Sequence, residues 1–187
     1  VEPQLDRQTA LAIARGLAAA GIPQSMQPQE AFARASGLLM EFLALLTTGR
    51  RMEEIIGAQA AELAAPDRLL QRELARLITA AHSAGLSVQA DRLPLAVDPG
   101  HTGLVGELGD ALAVLDKEHV IVSDEGTWRG LHELRSKLLT IFLHKTPPPT
   151  VGATWVRLVP VLQPSEVGWL LPRVAEMLPS ELERVAG

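Results

Sequence analysis

Apolar residues recur at helical spacing along most of this chain, and the period changes in one place, between Val120 and Arg129. A helix returns to the same face about every 3.6 residues and a strand every two, so this pattern constrains the fold more than any single motif. It predicts a mainly α chain with one small β-hairpin: Val120, Ile121 and Val122 run in, Asp124-Glu125-Gly126 turns, and Thr127, Trp128 and Arg129 return. Composition agrees. Hydrophobic residues make up 47% but aromatics only 3%, with no Tyr, so the core must be built from Leu, Ala, Val and Ile. Such a core suits packed helices better than an aromatic-rich sandwich.

Three segments follow from the punctuation. In residues 1–65, a helix is expected over 9–20, ended by Gly21 and Pro23, then one helix over 30–46 and a third over 52–64. Residues 66–146 open with a strongly amphipathic helix over 69–84, on which Leu70, Leu74, Leu77, Ile78 and Ala81 share a face. A short helix over 90–97, a helix over 104–115, the hairpin and a helix over 132–144 complete the segment. Helix, short helix, helix, hairpin is the element order of a winged helix-turn-helix. Residues 147–187 begin with Pro147-Pro148-Pro149, an extended and stiff run that reads as a linker. Short helices punctuated by Pro164, Pro172 and Pro179 are expected beyond it, as the start of a helical region. The chain starts at Val1 rather than Met, and is read as a segment of a larger protein.

Several kinds of chemistry are excluded or weakened. Without Cys there is no disulfide framework and no thiolate metal site. No apolar run is long enough to cross a bilayer, and no charged n-region leads into an apolar h-region, so a cytoplasmic setting without membrane partners is expected. No G-x-x-x-x-G-K-[ST] phosphate loop occurs. His132-Glu133 would need a second His at 136 to bind zinc, where Ser136 stands, so no metal site is assigned. Ala81-His82-Ser83-Ala84-Gly85 resembles a nucleophile elbow, but a helix precedes it where a strand is required. It is read as a helix end with an exposed Ser83. Glu53-Glu54 and Asp124-Glu125 are adjacent pairs whose members diverge by about 100° on a helix, and they read as solvated. No catalytic residue is assigned.

Nucleic acid is not an expected partner. The formal charge is -5, and the helix that would enter a groove carries Glu107, Asp110, Asp116 and Glu118 against Lys117 alone. Such a surface repels phosphates rather than displacing their counterions. Two places are better suited to an anion. Arg50-Arg51 follow Gly49 at a helix start, and His132 stands where the hairpin returns into a helix, whose N-terminus offers free N–H groups.

The run Trp128-Arg129-Gly130-Leu131-His132-Glu133-Leu134-Arg135-Ser136 resembles the winged-helix region of STAND-type signalling NTPases, the AAA+-related switches. In that class a Met-His-Asp motif opens the helix after the wing, and Leu131-His132-Glu133 stands in its place, with Leu for Met and Glu for Asp. Gly37-Leu38-Leu39-Met40-Glu41-Phe42 and Leu45-Leu46-Thr47-Thr48-Gly49-Arg50-Arg51 are similar to the helical lid of bacterial members. The resemblance covers roughly residues 5–146. It implies that His132 contacts the β-phosphate of ADP; Arg50 and Arg51, from their place at a helix start, are further nucleotide-binding candidates that could instead meet a carboxylate on a partner domain. It also implies a non-catalytic regulatory segment that senses ADP or ATP held by its parent protein and carries no cofactor in isolation. The implied partners are an N-terminal ATPase core and a C-terminal sensor region of the same chain, with a homo-oligomer on activation and a signalling role such as bacterial defence. A stand-alone helical adaptor for a protein partner remains the alternative.

Overall fold

The computed structural model describes residues 4–97, 106–146, 148–162, 165–168, 170 and 172, and these are mainly helical with one small antiparallel sheet. The chain divides into two compact units, Val1–Ala58 and Gln59–Gly187. Among the described residues, no helix is long and apolar enough to cross a membrane.

The first unit holds α1 (Arg7–Ala19), α2 (Pro28–Ala35), α3 (Leu39–Thr48) and the start of α4 (Met52–Leu63). Asp6 caps α1 by accepting from the Thr9 N–H at 2.9 Å and from its hydroxyl at 2.7 Å. Leu5, Ala10, Ala14, Ala31, Ala35, Phe42, Leu45 and Leu46 form the core, with Ile13, Leu17 and Phe32 packed against it. The helix expected over 30–46 is two helices. Ser36 (φ 52°) and Gly37 (φ 81°) both adopt the left-handed conformation, which no helix continues through. The break lets the Leu5 N–H reach the Gly37 carbonyl at 2.8 Å and folds α3 back on α2. Apolar periodicity ran across the break because both pieces bury the same kind of face.

In the second unit, α5 (Leu69–Ser83) is central and packs against every larger element around it. Far from showing a solvated face, it buries Leu70, Leu74, Ala75, Leu77, Ile78, Ala80 and Ala81 together with Glu73, Arg76, Thr79 and Ser83. Its amphipathic pattern therefore separates an apolar interface from a polar but equally buried one. Next come β1 (Val88–Gln89), α6 (Leu93–Ala96), α7 (Leu108–Lys117), β2 (Ile121–Asp124), β3 (Thr127–Gly130) and α8 (Glu133–Leu143). The expected hairpin is β2–β3, joined at Glu125 (φ 47°) and Gly126 (φ 83°), the positive pair that a two-residue turn matched to strand twist requires. The strand β1 was not expected. It pairs antiparallel with β3, Val88 opposite Trp128, giving the order β1-β3-β2. The short helix expected over 90–97 is confined to α6. Of the helix expected over 104–115, residues 104 and 105 lie outside the described residues.

Beyond the proline run, where only short helices after 164 were expected, α9 (Val151–Leu158) forms. Thr150 caps it by accepting from the Ala153 N–H at 3.2 Å, and Thr154, Trp155 and Leu158 are buried where it packs on α5. Residues 165–168 are helical as expected, whereas the helices expected near 173–178 and 180–185 lie outside the described residues.

Candidate functional site

The junction of β3 and α8 gathers several polar groups. His132 is the N-cap of α8, with extended backbone (φ -152°, ψ 140°), and its Nδ1 accepts the Leu134 N–H at 3.2 Å. Helix N-termini leave such N–H groups unpaired, so an acceptor is favoured there. The capping fixes the tautomer. A neutral imidazole that accepts at Nδ1 carries its proton on Nε2 and can donate from there.

One turn further, Ser136 is buried and its Oγ lies 2.9 Å from Nδ1 of His82, which comes from the last turn of α5. Above this pair passes Gly130, where a Cβ would stand 2.0 Å from Ser136 Oγ and 2.9 Å from His82 Nδ1. Glycine is thus required here for close approach, not for an unusual φ. Burial, then the Arg129 charge, push the His82 imidazole below its usual range, while Glu133 acts the other way. The Ser–His spacing matches that of a nucleophile and its base. Ser136 is only 1% exposed, however, so the pair binds α5 to α8 rather than presenting a hydroxyl to a substrate. Ser83, expected to be exposed, is buried instead, and its Oγ donates to the Ala80 carbonyl at 2.7 Å.

Arg50 and Arg51 belong to the first unit and are exposed at the α3–α4 turn. Arg50 donates to the Glu54 carbonyl at 3.2 Å, and its own N–H meets Thr48 Oγ1 at 3.2 Å. Glu41 accepts from the Met52 N–H at 3.0 Å and so occupies one α4 donor. Glu53 and Glu54 are exposed, as expected, and Asp124 pairs with Arg129 at 3.2 Å.

A second polar cluster was not foreseen. Glu73 on α5 forms ion pairs with Arg76 at 3.7 Å and with Arg157 from α9. Arg76 Nε donates to the Leu143 carbonyl near the end of α8 at 3.0 Å, and Arg157 donates to the Ala96 carbonyl. Burial lowers the Arg76 pKa, helped by the Arg72 charge and opposed by Glu73. Beside this cluster, buried His144 donates from Nδ1 to the Thr140 carbonyl at 2.7 Å and accepts at Nε2 from Thr154 Oγ1 at 2.8 Å. Burial pushes its pKa down. Glu73 and Arg76 in an otherwise apolar helix face were the available signal, but the partner on α9 is about eighty residues distant.

Among the described residues, no three His, Cys, Asp or Glu side chains gather as a metal site. Compared with known proteins, the chain matches no family model, no curated protein and no solved structure.

Proposed function

We propose that this chain is the lid and winged-helix segment of a STAND-type NTPase, a non-catalytic element that reports whether the parent protein holds ADP or ATP. The observation that carries this reading is His132. It follows the hairpin directly, caps α8 through Nδ1, and is thereby left with an Nε2–H donor at a helix N-terminus. A β-phosphate brought by an ATPase core would meet that donor in a setting that already favours negative charge. The strand order β1-β3-β2, with helices α5, α6 and α7 between and before the strands, supports a winged helix.

The same face argues against DNA. Glu107, Asp110 and Glu118 along α7 are exposed, and the hairpin's Arg129 is paired with Asp124. Little positive charge remains there to replace counterions.

A switch of this kind needs two arrangements whose balance the nucleotide tips. ADP, held in part through His132, would favour the closed one; ATP with a trigger would release it, with oligomerisation following. The test is ADP retention by the parent protein. His132→Ala is expected to speed ADP release by about tenfold to a hundredfold, since one hydrogen bond to a charged group contributes about 1.5–3 kcal/mol. It should also raise basal signalling. ADP release and basal output both equal to wild type would remove His132 from the nucleotide site. A stand-alone adaptor is the second reading, favoured by the exposed Leu95 on α6 and Val156 on α9; an adaptor would show no ADP dependence at all.

A further inference from the structure

The second unit gathers three guanidinium groups around one carboxylate. Arg72 and Arg76 stand four residues apart on α5 and so share a face, and Arg157 reaches across from α9. Arg76 and Arg157 are both engaged by Glu73 and by backbone carbonyls. Arg72 is not. Its Nη1 reaches the Ala64 carbonyl only at 3.5 Å, and its Nε is buried with no hydrogen-bond partner among the described residues. A buried guanidinium N–H left unpaired is costly, so an anion that accepts from it would be stabilised here.

There is room for it. Two clefts of about 240 Å³ each adjoin here, and Arg72, Arg76 and Pro148 line both. One of them extends to Glu73, Pro149 and Arg157. Among the described residues, three cations against one carboxylate leave a surplus of positive charge that a dianion would balance. The fork of N–H donors on Arg matches a phosphate in geometry as well as in charge.

We propose that this cleft, between α5, α9 and the turn at Pro148-Pro149, binds a phosphate group, either as inorganic phosphate or as the phosphate end of a larger molecule. It is separate from His132. The histidine caps the start of α8, while Arg76 bonds the Leu143 carbonyl at the other end of that helix, roughly 16 Å away for eleven residues. The proposal therefore does not rest on the nucleotide-switch reading.

Calorimetric titration of the 187-residue chain with inorganic phosphate, at constant ionic strength, tests it. Saturable binding is expected. Arg72→Gln should weaken it by about tenfold or more, the loss expected for one charge-assisted hydrogen bond. Arg129→Gln, on the hairpin, should leave it unchanged. In phosphate-free buffer, Arg72→Gln should melt at the wild-type temperature or above, because it removes a half-buried guanidinium whose Nε has no partner among the described residues; a clearly lower midpoint would mean that Arg72 is already satisfied within the fold, and would overturn the proposal. So would an absence of saturable binding, equal binding by Arg72→Gln, or acetate competing as strongly as phosphate. ADP that displaces phosphate in an Arg72-dependent manner would identify the source as a nucleotide, and failure of ADP to compete while phosphate still binds would exclude ADP and leave inorganic phosphate as the ligand shown to fit.

Discussion

Substituting Gly130 by Ala puts a methyl group where there is no space for one. The added Cβ would sit 2.0 Å from Ser136 Oγ, 3.4 Å from Ser136 Cβ and 2.9 Å from His82 Nδ1. Ser136 is 1% exposed, so its hydroxyl has no solvent side to turn towards, and relief requires that β3 and α8 separate or that the Ser136–His82 hydrogen bond break. Overpacking of this kind costs about 1–3 kcal/mol, and the broken bond adds about 1 kcal/mol. Against that, Ala stiffens the unfolded chain relative to Gly, which favours the variant by about 0.4–1 kcal/mol. The net expectation is a loss of about 1–3 kcal/mol. The assay is urea unfolding followed by tryptophan fluorescence. The sequence has no Trp in Val1–Ala58, and Trp128 and Trp155 lie in the second unit, so the signal reports the unit that contains the clash. Adding Ser136→Ala closes a double-mutant cycle. Alone it should destabilise by about 1 kcal/mol through loss of the hydrogen bond; on the Gly130→Ala background it should recover stability, because the closest clashing atom is gone. A Gly130→Ala loss below about 0.5 kcal/mol, or strictly additive effects, would refute the close-approach argument.

Two further outcomes are expected. His144 is held neutral in the fold by burial, with a pKa below its unfolded 6.5, so its contribution is fully present above pH 6.5 and is lost as pH falls from there towards the folded value. The urea midpoint should thus hold steady from pH 8 to 7 and fall as pH drops below about 6.5, with a shallower fall in His144→Gln; an equal slope in that variant would assign the acid sensitivity to another group, of which His82 is the first candidate. Glu125→Asn should stabilise the second unit by about 0.5–1 kcal/mol, since Glu125 holds a left-handed φ of 47° that Asn tolerates better; an unchanged or lower urea midpoint would contradict that account of the turn.

Local signals carried much of the fold. The β2–β3 hairpin was legible because β-branched residues flank a turn with Gly126 at a position needing positive φ. The ends of α1, α5 and α8 were legible from Gly21, Gly85 and the approach to Pro147. What escaped depended on distant partners or on rare conformations. A strand of two residues, Val88–Gln89, has no periodicity to detect and exists because β3 offers an edge. The α2–α3 break turns on Ser36 adopting a conformation that its residue type seldom takes. The helix α9 lay in the shadow of a proline run, although Thr150 followed by Trp155 and Leu158 at helical spacing was a usable cue. At the candidate site, His132 was named from its place after the hairpin, and the structure puts it at the N-cap of α8. The Ser136–His82 pair and the Glu73–Arg76–Arg157 cluster were not found, because each joins helices far apart in sequence.

The burial of α5 along its length has a mechanical consequence. A helix with one wet side bends towards its core, because carbonyls on that side tilt out to water. Leu70 to Ser83 leave little such side, so α5, about 22 Å long, lacks that cause of bending. The hairpin junction is tied to its far end through His82, and α9 is pinned near its start through Glu73. The two attachments thus lie nine residues apart on one continuous helix, with no loop between them to absorb a displacement.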